Sequence, residues 1–161
     1  KVCYAAISER TNLDLLIDWC RKFQYKLCHF KAYQTINGRR RLIYHTNVMM
    51  SIADKYVIIC LETIDDSTER KNLLSLFKST GKQIIEISEE QKDCFAGNML
   101  QVKGHDVYMI MSSKAKNSLT EYQLNLIQSF NQILSISVDI IESNGGGSVR
   151  CMMAEVFLPK R

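Results

Sequence analysis

The chain has 161 residues, 46% of them hydrophobic and 24% charged, with 21 basic against 17 acidic side chains for a formal net charge of +4. One proline and seven glycines in that composition exclude a disordered, collagenous or low-complexity polypeptide, and the length predicts a single globular domain over 1–161. Neither a bilayer-length apolar run nor a secretory leader is read in the sequence, so no membrane partner is expected and a cytoplasmic location is.

The chain opens on KVCYAAIS, without methionine and directly in a strand pattern, which reads as the start of a fragment or a processed product. A helix is predicted over 11–23, capped by Thr11 or Asn12, with Leu13, Leu16, Trp19 and Cys20 on one face. A strand follows over 26–34, and Asn37-Gly38 marks a hairpin turn. The basic cluster Gly38–Arg41 is short and has no interleaved aromatics, so it reads as a solvated hairpin tip and nucleic-acid binding is not expected. LIYHTNVMMSIA continues as a buried strand with a polar break, then YVIICLETI (56–64) as another, across a turn at Asp54-Lys55. A helix over 67–80 has Ser67 and Thr68 as caps, Leu73, Leu74 and Phe77 as its apolar face, and Gly81 as its stop. A strand over 82–88, one helical turn in EEQKDCFAGN, two strands over 99–113, a helix over 119–133 starting near Thr120, and a strand over 135–143 complete the pattern. After the glycines of NGGG, the run VRCMMAEVFLP reads as a last buried strand.

Alternating strands and helices predict an α/β or α+β class. The order also repeats: from YHTNVMM to QIIEIS, and from AGNML to VDIIES, each stretch reads strand, strand, helix, strand. Asn47 and Asn98 hold matching places 51 residues apart, and a similar step reaches Arg150 and Cys151. A period near fifty predicts radial repetition of the propeller kind, which brings equivalent strands together around an axis.

The six cysteines form no C-x-x-C pair and no histidine stands at zinc-finger spacing, so reduced thiols are expected, with no metal and no cofactor. Cys3, Cys20, Cys28 and Cys60 lie in or beside apolar runs as small hydrophobes. His29 reads as a strand residue and His105 as a solvated turn residue. His45 belongs to a His-Thr-Asn interruption of apolar sequence, where polar groups need partners or a task. Cys151 follows Gly145, Gly146 and Gly147, which let backbone approach a ligand, then Ser148, a hydrogen-bond donor, and Arg150, a cation beside the thiol. On these residues alone two readings stay open: a core cysteine after a tight turn, or a nucleophile whose base is His45 in a shared pocket.

The motifs YHTNVMM, CLETI, FAGNML, MSSKA and GGGSVRCMMAE resemble the carboxyl-terminal half of amidinotransferase-related proteins of the citrulline-utilisation type, which are similar to arginine deiminase and dimethylarginine hydrolase in the pentein superfamily. The resemblance implies a pentein-type α/β propeller of which this chain holds about three of five strand-strand-helix-strand units. It implies Cys151 as nucleophile and His45 as catalytic histidine, with Asn47, Gly147, Ser148 and Arg150 as substrate-binding candidates. In related deiminases an acid stands where Asn47 is, so that residue's role departs from the family pattern. The implied substrate is a small, arginine-like guanidino compound, and the implied reaction an amidinohydrolase, deiminase or amidinotransferase step through a covalent cysteine intermediate. Acids that grip a guanidinium come largely from the absent amino-terminal half. Asp93, Glu142 and Glu62 read as solvated or capping groups, and self-association or pairing with the missing half is expected. The alternatives are a non-catalytic binding module on the same scaffold and a cysteine peptidase.

Overall fold

The computed structural model describes residues 1–156. Two three-stranded sheets dominate it. In the first, strand β5 (Met50–Ile52) pairs antiparallel with β6 (Tyr56–Ile59), and β6 pairs parallel with β7 (Gln83–Glu86) after a crossover through helix α2 (Ser67–Ser79). In the second, β8 (Leu100–Lys103) pairs antiparallel with β9 (Val107–Ser112), which pairs parallel with β10 (Gln132–Ile136) after helices α4 (Ser113–Ser118) and α5 (Glu121–Gln128). The two sheets have the same connectivity, so the repeat of about fifty residues is a repeat of topology. Ahead of them, β1 (Val2–Ala6) and β2 (Lys26–Phe30) pair in parallel across helix α1 (Leu13–Lys22).

The central strands explain the apolar runs. All four residues of β6 are fully buried, as expected of a strand covered on both faces. Phe77 from α2, Ile85 from β7 and Met109 and Met111 from β9 belong to the same continuous core. Inside it, the Tyr56 hydroxyl donates to Asn131 Oδ1 at 2.8 Å and Gln101 Nε2 to the same oxygen at 3.0 Å, which joins the two sheets through a satisfied polar contact. Two capping boxes do the same at the helix starts. Ser88 with Gln91 caps α3 (Glu89–Asp93), Thr120 with Gln123 caps α5, and the two glutamine amides then bond each other at 2.8 and 3.0 Å.

The Asn37-Gly38 hairpin forms as predicted, between β3 (Tyr33–Ile36) and β4 (Arg39–Leu42), with both turn residues at positive φ. Its basic tip is not uniformly solvated. Arg40 pairs with Asp65 and, at 2.7 Å, with Glu89, and donates to the Glu62 carbonyl at 3.2 Å. These carboxylates, Asp65 foremost, hold its guanidinium protonated even more firmly than usual.

Several elements differ from the sequence reading. Asp66, not Ser67 or Thr68, caps α2, accepting from the amides of Thr68 and Glu69 at 2.7 and 2.9 Å. The face of α1 buries only Cys20; Trp19 is 43% exposed and packs on Phe23 and Tyr25. The helix read over 119–133 stops at Gln128, because residues 132–136 are taken by the parallel ladder to β9. The strand read over 135–143 is therefore mostly helix, α6 (Asp139–Gly145), whose buried residue is Glu142, while Ile140 is 80% exposed. The buried strand read from Val149 is a 3-10 turn over Val149–Met152, closed by the Cys151 amide donating to the Ser148 carbonyl at 3.0 Å. Residues 157–159 of that run lie outside the described residues. The run LIYHTNVMMSIA breaks likewise into the end of β4, a 3-10 turn over Thr46–Val48 and β5.

Candidate active site

His45 sits where the chain leaves the hairpin and enters the turn Thr46–Val48. The turn is fixed from below by the Ala6 amide at the end of β1, which donates to Thr46 Oγ1 at 2.9 Å. His45 itself is extended and exposed, and its ring lies against Tyr44 at 5.0 Å between centroids. Tyr44 reaches across to the glycine loop: its hydroxyl donates to the Gly146 carbonyl at 3.2 Å. The Arg10 guanidinium lies over the same Tyr44 ring, 5.0 Å from its centre.

The cysteine is presented from behind the same loop. Helix α6 ends on Gly146 in the left-handed conformation. Gly147 then packs closely on the cysteine, since a Cβ there would meet Cys151 Sγ at 3.0 Å and Cys151 Cβ at 3.1 Å. The loop is pinned by Ser148, fully buried, whose hydroxyl donates to Glu142 Oε1 at 2.6 Å. With its amide tied to Ser148, Cys151 is an exposed residue whose sulfur faces the cleft. There it meets two asparagines, with Asn98 Nδ2 at 3.2 Å and Asn47 Nδ2 at 4.0 Å. The Asn98 amide also donates to the Asn47 carbonyl at 3.2 Å. The three matching positions of the sequence repeat thus converge on one point.

His45, Asn47, Asn98, Gly147 and Cys151 line one cleft of about 480 Å³, with Arg10, Lys92 and Asp93 among the charged residues around it. The sequence reading placed Ser148 and Arg150 against substrate, and the structure puts both elsewhere. Ser148 is buried behind the loop, and Arg150 lines a separate cavity of about 750 Å³ with Tyr4 and Lys82, its Nη1 donating to the Met153 carbonyl at 3.3 Å. Of the three carboxylates, Asp93 borders the cleft, paired with the buried ammonium of Lys92. Glu142 serves Ser148, and Glu62 caps the Glu89 amide at 2.9 Å. His29, on β2, and His105, in the β8–β9 turn, are exposed and line no part of the cleft. Burial pushes Cys3 up to about 11 and Cys60 up to about 12, and also raises Cys28. Among the described residues, no group of three His, Cys, Asp or Glu side chains is placed to hold a metal ion, and no helix is long and apolar enough to cross a membrane.

The sequence profile described as N,N dimethylarginine dimethylhydrolase, eukaryotic, matches residues 1–158. The chain belongs to this dimethylarginine hydrolase family. It is a pentein, amidinotransferase-related protein, in agreement with the resemblance carried by its motifs. Its fold is similar to that of ArgZ, an arginine dihydrolase of the ornithine–ammonia cycle in cyanobacteria, in its apo form. That match has a TM-score of 0.68 at 15% identity over 97% of this chain and 22% of that one. It is also similar to AgrE in a ternary complex with ornithine and NAD+, with a TM-score of 0.67 at 18% identity over 98% of this chain and 21% of that one. At such identities the likeness is one of fold, and the chain spans about a fifth of the length of either protein. Comparison with curated proteins gives no match.

Within the family fold, sequence reasoning missed Tyr44, Arg10 and Lys92 as parts of the cleft. Nothing in their spacing marks them, because each arrives from a different element. Asn98 was visible as the second member of the repeat, but its contact with the sulfur depends on the turn at 149–152.

Proposed function

We propose that the chain carries the nucleophile and the general acid-base of a guanidino-group hydrolase of the dimethylarginine hydrolase type, acting on an arginine-like compound through a covalent bond to Cys151. The carrying observation is the sulfur of an exposed cysteine at 3.2 Å from a buried amide donor, in one cleft with His45. A guanidinium carbon is stabilised by resonance, so it needs a strong nucleophile, and a thiolate is one. The Cys151 thiolate adds to that carbon and forms a C–S bond. The C–N bond to the leaving amine breaks as His45 delivers the proton, which leaves a cationic amidino thioether. His45, now neutral, takes a proton from an attacking water. The new C–O bond and the broken C–S bond then release a ureido product and restore the thiolate.

An amine in the place of that water would give the transferase variant; the hydrolase family to which the chain belongs favours water. Arg10 suits a substrate carboxylate at the cleft's rim, whereas the guanidinium end finds one carboxylate there, Asp93, which already pairs with Lys92. We therefore place the rest of the guanidinium clamp in further modules. The propeller arrangement of three units out of five is part of the same proposal, supported by two sheets of identical connectivity beside the β1–α1–β2 unit. Intact-mass analysis after incubation with arginine, a dimethylated arginine and a simple guanidino acid tests the reading, on this chain and on one extended by the remaining modules. The expected result is a covalent adduct on Cys151, absent from Cys151→Ser. No adduct on either chain overturns it and favours a binding module.

A further inference from the structure

We propose that Asn98 is the hydrogen-bond donor that favours the ionised form of the Cys151 sulfur and aims it into the cleft. This rests on the reading of Cys151 as nucleophile and adds a residue that touches the reacting atom. The Asn98 side chain belongs to a residue only 4% exposed, so its polar atoms must find partners within the protein. Chemistry fixes which end of the amide faces which partner. The Asn47 carbonyl oxygen, 3.2 Å away, can only accept, so the atom facing it is the nitrogen. That nitrogen has a second hydrogen, and Sγ lies 3.2 Å from it. The opposite arrangement, a thiol hydrogen donated to Oδ1, spans 3.6 Å and relies on a weak donor. The amide therefore presents its donor end to sulfur, and a donated hydrogen bond favours the charged form of its acceptor.

The mounting is rigid for a separate reason. A Cβ at Gly97 would stand 2.4 Å from the Val48 carbonyl oxygen, so the segments around residues 48 and 97 touch backbone to backbone. That contact sets Asn98 against the carbonyl of Asn47, and Asn47 Nδ2 adds a second, longer approach to the sulfur at 4.0 Å. The nucleophile is thus held by the residues that occupy its own place in the two preceding modules, 104 and 53 positions earlier.

The test is the pH dependence of Cys151 alkylation by iodoacetamide, followed by peptide mass spectrometry on the full chain. In Asn98→Ala the pH of half-maximal rate should rise by about one unit. In Asn98→Asp, which sets a carboxylate against the sulfur, it should rise further, while the alkaline plateau stays within about twofold of the parent. A residue that merely held the loop would lower the plateau and leave the midpoint alone; that result, or unaltered profiles, overturns the proposal. Should either variant fail to fold, the parent chain decides: Cys151 should reach half-maximal rate at a lower pH than Cys94, and coincident profiles overturn the proposal. A guanidino adduct on Cys151 with unmoved midpoints refutes the role of Asn98 and spares the enzymatic reading. Moved midpoints with no adduct refute the enzymatic reading and spare Asn98.

Discussion

Ser148 and Glu142 work behind Cys151. Glu142 Oε1 accepts from the Ser148 hydroxyl, while Oε2 is buried with no partner among the described residues. Ser148→Ala would leave both oxygens without a donor, at a cost of about 1–3 kcal/mol. The expected outcome is a lower urea midpoint together with slower alkylation of Cys151, whose amide hangs on the Ser148 carbonyl. An unchanged midpoint would show that solvent already serves the carboxylate. At this scale the sequence made two residues of the cleft legible. A polar triplet inside apolar sequence singled out His45, and three glycines before a cysteine singled out Cys151. Their supports were not legible, because the Glu142–Ser148 pair exists only once residues 149–152 coil into a turn instead of extending. The same turn sends Arg150 to line the other cavity, so its place next to Cys151 in sequence does not make it part of the cleft that Cys151 lines.

Short elements with strong caps were read well, and those decided by a distant partner were not. The hairpin at Asn37-Gly38 and the helix starting at Thr120 follow from local chemistry alone. The strand read over 135–143 failed because VDIIES suits either period; only the ladder of Ile133 and Leu134 on Met109 and Ile110 settles where the strand lies. The approach of the segments around residues 48 and 97 was likewise invisible, since a glycine in AGNML has many explanations. It now has one, and it can be tested. Gly97→Ala puts a methyl group 2.4 Å from backbone oxygen, where no side chain can yield, so one of the two segments must shift. A loss of about 1–3 kcal/mol in denaturant unfolding is expected, with Cys151 alkylation slowed because Asn98 moves with its neighbour. A variant of parental stability would show that the two segments are not in contact.

Across the whole molecule the core is mainly apolar, and several weak acids lie in or beside it. Burial raises Cys3, Tyr4, Cys28, Tyr56 and Cys60 above their ordinary values, to about 11 for Cys3 and about 12 for Cys60. A group raised on folding lends stability that is whole below its unfolded value and drains away as pH climbs through the folded one. For the Cys60 thiol this window opens near the ordinary value of 9.0 and closes near 12. Lys82, lowered by burial, acts in the opposite sense but is one group against five. Urea midpoints should therefore hold level up to about pH 8.5 and fall steadily above it; a midpoint rising between pH 9 and 11 would contradict the burial of these side chains. The hairpin β3–β4 answers to a different variable. It lends Gln34 to the rim of the cleft and is tacked down by Arg40 through half-exposed carboxylates, a kind of contact that dissolved ions screen within about 8 Å at physiological strength. The mouth of the cleft is thus fastened on that side by a brine-sensitive clasp, and the electrolyte around the protein helps to set how wide it stands.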